Sequence, residues 1–238
     1  MEHISSVNSL GELKYVILPG KVGSNFECLE MHDRVFSFWE KVWDETFAST
    51  GAPKKHWKDH FLRQDMVCAL VNEQDVIGCH LYTLYNLKSK STLKSEYFEY
   101  IQNSTVEEML HDGVNPMMSM EYLCVNKKYS SNAEKLGLGK LIISLGSFVS
   151  YAVGSKGAVG MPIDGRGVDK MAQNVGAKIY QDGIEKYGYK LNFMVIPTHQ
   201  ITKSQDLTVA QFTDRLWSQR VDFTGLTQSQ SNNFKQVA

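Results

Sequence analysis

The chain has 238 residues, 42% of them hydrophobic, and a formal net charge of −1. That length suits one large domain or two small ones and is ample for a buried core. The charge balance does not imply nucleic acid, no apolar run reaches membrane-spanning length, and Met1-Glu2-His3-Ile4 does not open a signal peptide, so a cytoplasmic location is expected.

In chain order, residues 13–18 read as a first strand closed by Pro19-Gly20. Residues 32–47 read as a helix with Val35, Phe38, Trp39, Val42, Trp43 and Phe47 on one face. That face is expected in the core, with the wall of an acyl or acceptor pocket as the second reading of its aromatics. Residues 49–53 break the helix, and 56–61 form a short helical turn. His56 and His60 are spaced i, i+4, but Trp57 stands where a zinc protease needs Glu, so the pair reads as surface or helix packing. Residues 66–71 and 76–85 are strands joined by the hairpin Asn72-Glu73-Gln74-Asp75. Residues 86–115 are polar, with two short helices expected, and look like an insertion between strands.

The next stretch carries the chemistry. An apolar strand over 118–125 leads into a polar loop ending in Glu134-Lys135-Leu136-Gly137-Leu138-Gly139. From Leu138 the apolar residues Leu141, Ile142, Leu145, Phe148, Val149 and Ala152 recur at helical spacing, with a stop at Gly154. The first amides of a helix lack intrahelical acceptors and sit at the positive end of its dipole. They can bind a pyrophosphate where no side chain blocks the approach, and Gly137 and Gly139 clear two such places, with Lys140 at the rim. The bland alternative is a loop whose glycines serve tight packing. Glu121 is the one carboxylate in the strand; it reads equally as a general base or as a solvated or ion-paired residue.

Residues 158–163 form another strand and 168–175 a helix ending at Gly176. Between them Asp164 reads as an N-cap, or Asp164 and Arg166 as acceptor-recognition groups. Residues 191–196 form a last strand, and 206–221 a helix with Thr208 and Gln211 as a capping box. The four cysteines are far apart with no C-x-x-C, so buried free thiols are expected and no metal site.

This order predicts an α/β (α+β) fold with a mixed, mostly antiparallel central sheet flanked by helices. Over roughly residues 13–196 it resembles the GNAT superfamily, the GCN5-related N-acetyltransferases. The family pattern Arg/Gln-x-x-Gly-x-Gly/Ala corresponds to Glu134 through Gly139, after a Glu-x-Leu-x-Val strand of Glu121, Leu123 and Val125. Glu134 replaces the usual Arg or Gln, and Ala172 stands where many members place a proton-donating tyrosine. The resemblance implies one GNAT-like domain over 1–223, with an insertion at about 86–115, a helical extension from about 197 and a polar tail over 224–238. It implies acyl transfer from a phosphopantetheine thioester to a small-molecule amine by direct attack, with acetyl-CoA or a longer acyl-CoA as co-substrate. Glu121 would be the base, Leu123 or Val125 would offer an amide to the thioester oxygen, and Leu136, Gly137, Leu138, Gly139 and Lys140 would hold the pyrophosphate.

The insertion, the long loop and the missing tyrosine also resemble N-acyl amino acid and acyl-homoserine-lactone synthases. Those use an acyl carrier protein, which is acidic and would suit the basic residues Lys127, Lys128, Lys135 and Lys140. The competing class is a GNAT-like ligand- or partner-binding protein without catalysis.

Overall fold

The computed structural model describes residues 12–24, 26–49, 58–129 and 137–227. Strand β1 (Lys14–Pro19) precedes helix α1 (Leu29–Ala48) and the short α2 (Asp59–Leu62). Strands β2 (Met66–Val71) and β3 (Val76–Tyr85) follow, then α3 (Lys90–Leu93), α4 (Asn103–His111) and β4 (Met117–Val125). After α5 (Leu138–Ala152) come β5 (Gly157–Gly160), α6 (Val168–Gln173), β6 (Lys178–Lys186), β7 (Tyr189–Pro197), α7 (Leu207–Ser218) and β8 (Val221–Asp222).

The strands form one sheet in the order β6-β7-β5-β4-β3-β2-β1-β8. Every neighbouring pair is antiparallel except β4–β5 and β1–β8. The expected mixed, mostly antiparallel sheet flanked by helices is what the structure has. The tight β2–β3 hairpin forms where expected: Asn72 N–H donates to Asp75 O at 3.0 Å, and Asn72 Oδ1 accepts from the Gln74 and Asp75 amides.

The inner strands are largely apolar because both faces are covered. Alternate residues feed two cores. Tyr15 and Ile17 of β1 pack with Ile77, Tyr82, Leu141, Leu145 and Val149 beneath α5 and α7, while Val16 and Leu18 pack with Val35, Trp39 and Phe61 beneath α1 and α2. Trp39 is fully buried, so Trp39→Ala would cost about 3–5 kcal/mol. The polar-looking stretch between β3 and β4 builds a third core: Tyr97, Phe98, Val106 and Met109 cover Phe193 and Val195 of β7.

Four sequence expectations shift. The fifth strand is only Gly157–Gly160, with Ile163 reduced to an isolated bridge to Leu191. The α7 cap is Asp206, whose Oδ1 accepts from the Thr208 and Val209 amides, so Thr208 lies inside the first turn. Gly167, not Asp164, precedes α6 as its N-cap. Strand β6, which the sequence reading passes over, is an edge strand with mostly exposed or half-exposed residues and two register shifts. The four cysteines are buried and free, Cys79 and Cys124 facing each other at 3.2 Å between sulfurs.

Candidate active site

Strands β4 and β5 pair in parallel only from Met117↔Gly157 to Ser119↔Val159. Beyond Ser119 they diverge, while β4 continues along β3 to Val125. The gap is a cavity of about 300 Å³ lined by Leu123, Val125, Ile143, Ala158, Ala172 and Met194 among others. Asn126 N–H donates to Ile77 O on the β3 side. Antiparallel alternation then turns the Val125 and Leu123 amides away from β3, toward the open side.

Helix α5 begins beside this gap. Gly137 caps it at φ +61°, a left-handed conformation that favours glycine. A Cβ on Gly139 would lie 2.7 Å from Met171 Sδ, so that glycine also lets α6 approach α5. Leu138 is buried, whereas Gly139 and Lys140 are half-buried. Leu136, Glu134 and Lys135 lie outside the described residues. Packing against Met171 therefore accounts for Gly139, and the left-handed cap for Gly137.

A second, more polar cavity of about 660 Å³ adjoins the first and shares Trp43, Met120, Tyr122, Met161 and Ile163 with it. Glu121 lines this second cavity. Ser119 Oγ donates to its Oε1 at 2.7 Å. Burial pushes the Glu121 carboxyl up from its usual range, against the pull of that hydrogen bond and of Lys186 and Arg63. Burial in turn pulls the Lys186 ammonium down, and it sits 5.2 Å and 5.1 Å over the Tyr100 and Tyr187 rings.

Tyr122 is the hinge between the cavities. It occupies a β-bulge: Leu81 pairs with Glu121, but Cys79 pairs with Cys124. Its φ is +57°, a conformation that costs a non-glycine residue roughly 1–3 kcal/mol and needs its surroundings to hold it. Trp43 Nε1 donates to Tyr122 O at 3.3 Å, and the Trp39 and Trp43 rings meet the tyrosine ring edge-on at 5.5 Å and 5.0 Å. The hydroxyl bonds His60 Nδ1. His60 Nε2 lies 3.4 Å from Glu96 Oε2, and Tyr187 donates to Glu96 Oε1 at 2.9 Å. Burial, aided by Arg63, lowers the His60 pKa to about 4, so its ring is neutral near pH 7. Burial raises the Glu96 carboxyl, but the Tyr187 hydroxyl and the neighbouring His60, Arg63 and Lys186 outweigh it and leave the group below its usual range.

The structure thus brings Glu121, Leu123 and Val125 to one strand segment between two cavities, with Gly137 to Lys140 on the helix that follows β4. Trp39 is core, as expected, whereas Trp43 and Phe47 line the polar cavity. Arg166 lines the apolar cavity. Tyr180, near Ala172 in sequence but beyond Gly176, donates its hydroxyl to Asp112 Oδ2 at 2.5 Å. Lys127 and Lys128 are bound to Glu45 and Asp75, each at 2.6 Å. His60 packs edge-on against the Tyr122 ring at 5.7 Å, in keeping with the helix-packing reading, whereas His56 lies outside the described residues; Tyr122 and Glu96 carry no sequence signal at all. Tyr122 becomes visible only through the bulge, and Glu96 only once the insertion folds over the sheet.

No family model and no curated protein sequence matches the chain. Solved structures do. A CoA-dependent acyl-homoserine lactone synthase, BjaI, solved with SAM and isopentyl-CoA, aligns over 89% of this chain and 92% of its own at 8% identity and a TM-score of 0.55. FeeM, an N-acyl amino acid synthase from uncultured soil microbes, aligns over 84% of this chain and 98% of its own at 10% identity and a TM-score of 0.52. The fold is therefore the GNAT fold.

Proposed function

We propose that this chain is an N-acyltransferase that moves an acyl group from a phosphopantetheine thioester to an amine by direct attack. The observation that carries the reading is the meeting of two cavities at the end of the β4–β5 pairing. One is apolar and narrow, suited to a pantetheine and acyl chain; the other is polar and contains a buried carboxylate. In this reading Leu123 and Val125 amides face the thioester oxygen, where negative charge develops. The amides of Gly137 to Lys140 hold the pyrophosphate. Glu121, its pKa raised by burial, takes the proton of the incoming ammonium.

Of the fold neighbours, BjaI is described as CoA-dependent, which supports a CoA donor, and FeeM as an N-acyl amino acid synthase, which supports N-acyl transfer. Acyl-CoA is the donor favoured here, because Lys127 and Lys128 are already neutralised by Glu45 and Asp75 and offer an acidic carrier protein little. The acceptor favoured is an amine carrying an acidic group. Lys186 stands in the same cavity as Glu121, so a carboxylate and an ammonium each find a partner there.

The test is a thermal-shift series with CoA, acetyl-CoA and decanoyl-CoA, joined to mass spectrometry of ligands retained after purification. A ligand that binds only the folded chain at a hundred times its Kd adds about 2.7 kcal/mol of stability. Stabilisation by a CoA species supports the reading; no stabilisation by any of the three, with no retained pantetheine species, overturns it.

A further inference from the structure

The proposed reaction leaves one proton unaccounted for. The departing thiolate must be protonated, and Ala172, at the place where many family members have a tyrosine, lines the apolar cavity with no proton to give. Glu121 lines the polar cavity but not the apolar one. Of the described residues that line both cavities, only Trp43 and Tyr122 carry a side-chain proton on nitrogen or oxygen, and the Trp43 N–H is held by the Tyr122 carbonyl. Tyr122 is thus placed where the amine and the thioester would meet.

We infer that Tyr122, His60 and Glu96 form a proton shuttle that takes a proton from the attacking nitrogen and returns it to the leaving sulfur. The inference rests on the acyltransferase reading above. In the resting state Tyr122 Oη–H donates to His60 Nδ1, and His60 Nε2–H points at the Glu96 carboxylate. When the acceptor nitrogen bonds to the thioester carbon, it becomes acidic. Its proton passes to Tyr122 Oη as the phenol proton passes to His60 Nδ1. The imidazolium so formed faces Glu96 across 3.4 Å. When the C–S bond breaks, sulfur leaves with the bonding electron pair. The Nδ1 proton then returns to Tyr122 Oη, whose own proton goes to sulfur. The products are an amide and a thiol, and the three side chains end as they began. Tyr122 is the catalytic residue; His60 and Glu96 act through it and are positioning residues.

Three structural facts support the arrangement. The left-handed bulge aims the ring at α2 rather than along the strand, and the two tryptophans lock it there. Tyr187 holds Glu96 through its other oxygen, Oε1, while Arg63 shares Oε2 with His60. Burial keeps the imidazole neutral and ready to accept, and makes the imidazolium quick to give its proton back.

Two experiments test the shuttle. Nitrogen NMR of ¹⁵N-histidine-labelled protein reads the His60 tautomer without any turnover. Neutral His60 carrying its proton on Nε2 is expected; a proton resident on Nδ1 overturns the proposal. Kinetics then compare decanoyl-CoA with decanoyl thiophenol thioester, whose thiolate departs without a proton, using an amine chosen by its turnover with the wild-type chain. Tyr122→Phe keeps the ring packing and is expected to lower kcat with decanoyl-CoA by about 100-fold at unchanged KM, but by less than about threefold with the thiophenol donor. His60→Asn should show the same donor dependence, and the double variant should lose little more than either single one. Equal losses with both donors, or no loss, overturn the shuttle while leaving the acyltransferase reading standing. A wild-type chain that turns over neither donor overturns that reading and the shuttle with it.

Discussion

Glu121 combines a proposed chemical role with a structural penalty, and the two can be read separately. Its carboxyl pKa is raised, first by burial. A carboxyl raised in the folded state contributes its stability at low pH and loses it as pH rises through the raised value. At neutral pH the ionised group therefore works against folding, and Glu121→Gln should leave the melting temperature equal or higher. Turnover should move the opposite way, with kcat falling roughly 100- to 1,000-fold if Glu121 is the base. The wild-type rate should also fall on the acid side at a pH above the ordinary glutamate value of about 4.3, because protonation disables the base. That acid limb should vanish in Glu121→Gln. A variant that keeps both the limb and the rate removes Glu121 from the mechanism.

Among the elements, α7 offers a clean test of local chemistry. Asp206 accepts from two amides that would otherwise lack partners, at 3.1 Å and 3.2 Å. Asp206→Ala should destabilise by about 1 kcal/mol, within the usual span of about 0.5–2, read as a lower urea midpoint at unchanged slope. In the sequence Thr208 and Gln211, two residues after Asp206, have the spacing of a capping box, but they lie inside the helix that Asp206 caps. Elements buried on one or two faces were legible throughout: α1, β2, β3, β4 and α5 have the expected periods because burial selects apolar residues at those spacings. Strand β6 was not, since Lys178, Ile179, Asp182, Gly183 and Glu185 face solvent and its bulges break the alternation. The site divides in the same way. Glu121 and the glycine turn stood out because each is unusual in its own segment. His60, Tyr122 and Glu96 come from α2, a bulge and the segment between β3 and β4, and only the three-dimensional fold joins them. Local spacing carries no trace of a contact between residues 62 positions apart.

Over the whole molecule, the exposed ion pairs contribute little to stability, whereas two buried imidazoles set its response to pH. Burial holds His60 at about 4 and His80 at about 3, both below the ordinary histidine value of about 6.5. As pH falls below 6.5 the unfolded chain takes up these protons and the folded chain does not. Folding stability is then fully present above about pH 6.5 and lost as pH falls through the folded-state values. At about 1.4 kcal/mol per unit the two together remove on the order of 5 kcal/mol by pH 4, a large share of a typical domain's stability. Urea unfolding between pH 7 and pH 4 should show this decline. His80 lines the apolar cavity with Nδ1 unpartnered among the described residues, so His80→Leu removes the titration together with that unmet hydrogen-bonding atom. Its unfolding free energy should fall more gently with acid than that of the wild type. An identical slope in the two proteins would place the acid sensitivity elsewhere. A flatter slope would identify the burial of His80 as one source of the acid sensitivity, the same physical cause that lowers the His60 pKa.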